Sequence, residues 1–171
     1  PISLVQPGRM LIKDADTLQM SNNSLKNLSS SVTVSPRIYD TSTEWTDATA
    51  FLFSDLLVIA VAVENKAEPA ASSSRRTPSA DSTPSYEFLL SFQLSMSSVQ
   101  VLDDSEFCLL KDNPETGGVD ELVVGTYGEV EKRREWVSML SEAINTCRKN
   151  YAKISARKHD ISLQRAEKAK N

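Results

Sequence analysis

The chain is poor in the residues on which most sequence signatures rest. Its 171 residues include two cysteines, Cys108 and Cys147, one histidine, His159, and five glycines. Two cysteines without paired spacing give neither a zinc site nor a disulfide framework, so a reducing, cytoplasmic setting is the expectation, with both thiols packed as small apolar groups. The lone histidine sits in a basic stretch with no cysteine beside it, which removes Ser-His-Asp and Cys-His arrangements built on it. Thr116-Gly117-Gly118 reads as a turn, and without a following Lys-Ser/Thr and helix it is no nucleotide phosphate loop. The longest apolar run, Leu56 to Val63, falls far short of the ~20 residues that cross a bilayer, and no basic-then-apolar leader is visible. Carboxylate pairs such as Asp103-Asp104 fall at strand ends, where turn formation explains them. With no metal-ligand spacing either, the expectation is a non-enzyme without metal or cofactor.

Positive charge is also scarce over most of the chain. Net charge is −4, but from Glu129 onward 11 Lys and Arg face 6 Asp and Glu, whereas the preceding residues carry 8 against 17. An acidic body argues against nucleic acid, whose phosphates need clustered cations. The basic tail reads first as a solvated helix face, with anionic lipid or an acidic partner as the alternative. Length and an ordinary balance of 40% hydrophobic and 25% charged residues fit one domain with appendages.

What is present is a series of short strands and one helix. From Tyr86 to Met96, apolar residues alternate with Glu87, Ser91, Gln93 and Ser95, the period of a strand with one buried face. Phe51-Leu52-Phe53, a tight turn at Ser54-Asp55 and then Leu56 to Val63 read as a hairpin. Val99 to Leu102, Phe107 to Leu110 and Leu122 to Thr126 add three strands, and a first strand near Thr17 to Met20 brings the count to seven. Glu129 to Asn150 contains no Gly or Pro and places Trp136, Leu140, Ala143, Cys147 and Tyr151 on one stripe, so a helix is expected to cap the sheet. The expected core is Phe51, Phe53, Phe88, Phe92, Trp136 and Leu140. Trp136 is read as the plug of an open barrel mouth.

Helical propensity persists to Lys170, and a continuous helix from Glu129 would reach roughly 63 Å, about twice the diameter of such a domain. Cys147, Ile154 and Ile161 recur every seventh residue, but Lys158 and Lys168 interrupt that stripe. A projecting helix is therefore preferred to a coiled coil. Two segments read as flexible insertions. Residues 21–47 are rich in Ser, Thr and Asn, with an embedded strand at Val32-Thr33-Val34 or Arg37-Ile38-Tyr39. Residues 64–85 are rich in Ser and Pro and too apolar-poor to order by burial. There, Arg75-Arg76 precede Thr77-Pro78, and with Thr83-Pro84 this makes Thr77 and Thr83 candidate phosphorylation sites.

Three local strings, together with this order of elements, carry a family resemblance over about Gly8 to Asn150. They are Gly8-Arg9-Met10-Leu11-Ile12-Lys13-Asp14, Phe51-Leu52-Phe53-Ser54-Asp55-Leu56-Leu57 and Glu131-Lys132-Arg133-Arg134-Glu135-Trp136-Val137. They resemble the lead-in, the second-to-third strand hairpin and the capping-helix start of the pleckstrin-homology (PH) domains that follow the exchange domain in Dbl-type Rho guanine nucleotide exchange factors. The resemblance implies a mainly β fold with one C-terminal α-helix, a seven-stranded, partly open antiparallel barrel capped by a long helix. It implies a lead-in from a preceding domain over 1–15, the PH domain over 16–150 and a basic helical extension over 151–171. The implied function is a non-catalytic module that positions the exchange domain and contacts a small GTPase, protein partners or the plasma-membrane surface. The runner-up is the similar PH domain of an exocyst tethering subunit binding a small GTPase. A third reading is a phosphoinositide-binding, membrane-targeting module. Against that third reading, the family's lipid cradle uses a lysine ending the first strand and an Arg-x-Arg-like pair opening the second, so that charge-assisted bonds converge on phosphate. This chain has Leu18-Gln19-Met20 and Thr46-Asp47-Ala48-Thr49-Ala50 there. Lys26 and Arg37 are the only lipid-binding candidates, and Asp40, Glu44 and Asp47 oppose them, so weak or absent binding is expected.

Overall fold

A computed structural model describes residues 7–28, 44–63, 85–113 and 117–168. In chain order they form β1 (Leu11–Ser21), α1 (Asn22–Leu28), β2 (Trp45–Phe53), β3 (Leu56–Val63), β4 (Ser85–Gln93), a single 3-10 turn at Leu94–Met96, β5 (Ser97–Val101), β6 (Glu106–Asn113), β7 (Gly118–Gly125) and α2 (Val130–Lys168). The strands make one antiparallel sheet in the order β4-β3-β2-β1-β7-β6-β5. β1 joins its two halves: it pairs with β2 from end to end but with β7 only through Gln19 opposite Gly125 and Met20 opposite Val124. Trp45 bridges this narrow join, because its ring lies 3.2 Å from where a side chain on Gly125 would begin. Any larger residue at 125 would push the ring away.

The inward faces of the strands and one stripe of α2 share a single core. Leu18, Met20, Ala50, Leu52, Leu57, Ile59, Phe92, Phe107, Leu109, Leu122 and Val124 meet Trp136, Leu140, Ala143 and Ile144 of the helix. Trp136 is fully buried, in keeping with its reading as a plug. Phe92 and Leu140 are core residues as expected.

The other expected core aromatics are not fully buried, and strand irregularity explains the largest departure. Ile59 pairs with Leu90 while Ala60 pairs with Phe88, so β4 carries one extra residue at this point. The bulge turns both Leu89 and Leu90 inward, at 0% and 1% exposure, and sends Phe88 to the outer face at 44%; an extra residue flips everything before it to the other side of the sheet. On β2 the inward residues are Ala48, Ala50 and Leu52, which leaves Phe51 and Phe53 half-buried. Phe51 instead packs edge-to-face against Tyr86, with ring centroids 5.3 Å apart.

Other boundaries also differ from the sequence reading. β1 begins at Leu11, not near Thr17, and β2 at Trp45, ahead of Phe51. The strand expected through Met96 stops at Gln93, where Leu94–Met96 turns the chain into β5. Within the segment read as an insertion, α1 docks Leu25 and Leu28 into the core. There the Ser24 hydroxyl accepts the Val123 N–H of β7 at 3.2 Å, closing the gap where β1 and β7 part. The alternative strands at 32–34 and 37–39, and the Ser/Pro segment with Thr77 and Thr83, lie outside the described residues.

Candidate functional site

Ser21 of β1 and Trp45 of β2, Val63 of β3 and Ser85 of β4, and Asn113 of β6 and Gly118 of β7 lie at the same end of the antiparallel sheet, the end at which the lipid-binding candidates fall. Lys26 is an exposed residue of α1, and Arg37 lies outside the described residues, so the two are not brought together among them. The notch of about 210 Å³ between α1 and β7 has Ser24, Asn27, Leu28, Val119, Asp120 and Glu121 as its walls. Its charged lining is two carboxylates, which repel phosphate. Asp47, at the start of β2, accepts the Tyr127 hydroxyl at 2.8 Å.

The more developed polar construction lies at the opposite side, where the lead-in strand meets the helix. Alternation alone would put residues 13 and 16 on opposite faces. Lys13 pairs with Leu52 and Asp16 with Ala50, three steps on β1 against two on β2, and this extra residue turns both side chains toward α2. Asp16 then accepts the Trp136 indole N–H at 2.8 Å and lies 3.1 Å from Lys132 and 3.7 Å from Lys13. Lys13 reaches Glu135 at 2.7 Å and sits 5.9 Å from the Trp136 ring centroid. Lys132 also donates to the Thr17 carbonyl at 2.8 Å and stands 5.7 Å from the Tyr127 ring. Burial works against charge on Asp16, but the bonds from Trp136 and Lys132 and the charges of Lys132 and Lys13 outweigh it, holding its pKa below the ordinary carboxylate value.

The plug thus doubles as an anchor. A buried indole needs an acceptor for its N–H, and β1 supplies that acceptor. Sequence reasoning found Trp136 and missed Asp16, because a single aspartate on a lead-in strand has no pattern of its own. The usable signal was the requirement that a wholly buried tryptophan find a polar partner.

A second clamp holds the chain just before β1. Arg9 makes a two-pronged pair with Asp55 in the β2–β3 turn, Nε to Oδ1 at 2.6 Å and a terminal nitrogen to Oδ2 at 2.7 Å. The Arg9 side chain is only 7% exposed. Ser54 N–H donates to the Met10 carbonyl at 2.8 Å, and Met10 N–H to the Ser54 hydroxyl at 3.2 Å. Gly8, at φ +83°, makes the bend ahead of the clamp, a left-handed conformation costly for other residues. Alongside runs a groove of about 750 Å³ whose apolar lining includes Met10, Met96, Cys147, Tyr151 and Ile154.

Among the described residues no cluster of His, Cys, Asp and Glu could hold a metal ion, and no helix is long and apolar enough to cross a membrane. Burial chiefly, and Glu121 next, push the Cys108 thiol up to about 12, leaving it inert.

No family model matches the sequence, and no curated protein matches it either. Among solved structures, the complex of PDZ-RhoGEF DH/PH domains with GTP-γ-S-activated RhoA is similar over 85% of this chain and 32% of that chain, at 15% identity and a TM-score of 0.50. The DH/PH domains of p115-RhoGEF in an R399E mutant match over 83% and 32%, at 12% identity and a TM-score of 0.49. The Slm1 PH domain in complex with inositol-4-phosphate matches over 78% and 95%, at 16% identity and a TM-score of 0.47. The fold is therefore the pleckstrin-homology fold, seven antiparallel strands with a C-terminal capping helix. It resembles the PH domains of Dbl-family exchange factors, and the chain spans about a third of the PDZ-RhoGEF chain it matches.

Proposed function

We propose that this chain is the non-catalytic PH module of a Rho-type guanine nucleotide exchange factor, positioning a preceding exchange domain against a small GTPase and near the plasma membrane. One observation carries the reading: the lead-in is fixed at two places, by Arg9 on Asp55 and by Lys13 and Asp16 on Lys132, Glu135 and Trp136. A strand bolted to both a hairpin and the capping helix transmits the orientation of whatever precedes it, whereas a flexible tether would not. The GTPase and exchange domain come from the family resemblance. The acidic notch beside Lys26 favours protein contacts over a specific phosphoinositide at the loop end.

The test is fluorescent-nucleotide release from Rho-family GTPases. This chain alone should give no acceleration, while the chain joined to its natural upstream residues should accelerate release. Arg9→Ala in the joined protein should lower that rate without unfolding the module. Acceleration by this chain alone would overturn the assignment.

A second reading, a vesicle-tethering subunit, is favoured by one feature, the continuation of α2 to Lys168. A coiled-coil upstream sequence, in place of a bundle of long helices, would decide for it.

A further inference from the structure

We infer that the projecting half of α2 is a membrane-surface docking ridge for anionic lipid, separate from the loop end of the barrel. Beyond Ile144, the last buried residue among those of the helix whose burial is described, the core-facing stripe continues into the open. Tyr151, Ile154 and Ile161 lie along it at 67%, 53% and 49% exposure. Lys149, Lys153 and Arg157 follow at i, i+4 and i+8, forming one rail that starts across the helix from that stripe at Lys149 and winds round to its edge at Arg157. All three are exposed, and among the described residues no carboxylate lies within ion-pair distance of them. Like charges at this spacing disfavour an isolated helix, so the rail is costly unless something anionic meets it.

Charge decides the occupant. Residues 146–171 carry 8 Lys and Arg against 2 Asp and Glu, while residues 1–145 carry 11 against 21. An anionic surface therefore attracts this end and repels the body, which sets the orientation of approach. The stripe also suits a lipid interface better than a helix partner. Lys158 falls in its middle, between Ile154 and Ile161, and in a coiled-coil seam that ammonium would be desolvated. At a headgroup layer it extends into the polar zone while its methylenes lie among apolar groups. Tyr151, apolar in body and polar at its tip, has the same preference. The apolar groove beside Met10 and Met96 opens along this ridge, so the fixed lead-in faces the same surface. The inference does not depend on the exchange-factor reading.

Co-sedimentation of the full chain with vesicles tests it. Vesicles containing roughly 30% phosphatidylserine should bind the chain, pure phosphatidylcholine should not, and about 0.5 M salt should release it. Phosphatidylglycerol at equal charge should substitute for phosphatidylserine. Replacing Lys153, Arg157 and Lys158 together by Gln should lower apparent affinity roughly 100-fold. Tyr151→Ser with Ile154→Ser should lower it roughly 30-fold, from lost apolar burial. Thermal unfolding should be unchanged in both variants, because these side chains lie outside the core. A Tyr151→Trp variant should be quenched by brominated lipid, which adsorption without insertion would not produce. Equal binding by the triple variant, or a marked preference for a phosphoinositide at equal charge, would overturn the proposal. So would a dimer in sedimentation equilibrium that Ile154→Ser with Ile161→Ser dissolves, since the stripe would then belong to a second copy.

Discussion

Replacing Asp16 by Ala removes the acceptor on which the plug and the lead-in strand depend. The Trp136 N–H would be left unpaired on a ring with 0% exposure, which costs about 1–3 kcal/mol. The lost ion pairs with Lys132 and Lys13 contribute about 1 kcal/mol or less, because all three side chains are 18–23% exposed. The total is about 2–4 kcal/mol, or a Tm lower by roughly 5–12 °C for a chain of this size. Asp16→Asn keeps an oxygen for the indole and should cost only about 1 kcal/mol. A double-mutant cycle of Asp16→Ala with Trp136→Phe should return a coupling of about 1.5–3 kcal/mol. The pH dependence follows from the lowered pKa of Asp16. A carboxylate whose folded pKa is depressed contributes stability above its unfolded value, and loses it as pH falls through the folded value. Urea melts of wild type and Asp16→Ala should therefore differ by a constant amount at neutral pH, and the difference should narrow by about 1 kcal/mol below about pH 4, the part carried by charge, since a protonated carboxyl still accepts the indole N–H as Asn does. A difference under about 0.5 kcal/mol at pH 7, within the range of ordinary surface changes, or one that persists undiminished in acid, would refute the anchoring role.

Three further outcomes are expected. Leu89→Ala should cost about 2–5 kcal/mol in a chemical melt, whereas Phe88→Ser should cost under about 1 kcal/mol, because the bulge buries the first and exposes the second. Arg9→Ala should cost about 1–3 kcal/mol and speed amide exchange at Met10 and Ser54, the residues its pair with Asp55 holds together. Cys108, 1% exposed with its pKa pushed up to about 12, should resist a thiol reagent at pH 8 until the chain unfolds, with labelling tracking global stability.

Architecture was legible where periodicity runs long. The helix stripe from Trp136 to Cys147 and the hairpin around Ser54-Asp55 follow directly from spacing and turn residues. The face of β4 was not, because Phe88-Leu89-Leu90 are all apolar and the sequence does not say which of them a bulge turns inward. α1 was missed for a related reason: seven residues with only Leu25 and Leu28 apolar are too short for a helical period to stand above a polar loop. The anchor at Asp16 needed the irregularity between Lys13 and Asp16 in the β1–β2 pairing, which no local propensity marks. The absence of a basic cradle could be read from Leu18-Gln19-Met20 and Thr46-Asp47 alone, since lack of charge needs no geometry to interpret.

Native-state amide exchange of β1 tests most directly whether the lead-in is rigidly joined to the capped sheet. The amides of Lys13, Asp16 and Leu18 should exchange with the same opening free energy as Leu52 on β2 and Trp136 on α2, all limited by global unfolding. Exchange over residues 11–16 several kcal/mol easier than at Leu52 would show a frayed strand, and a PH module that cannot orient what precedes it.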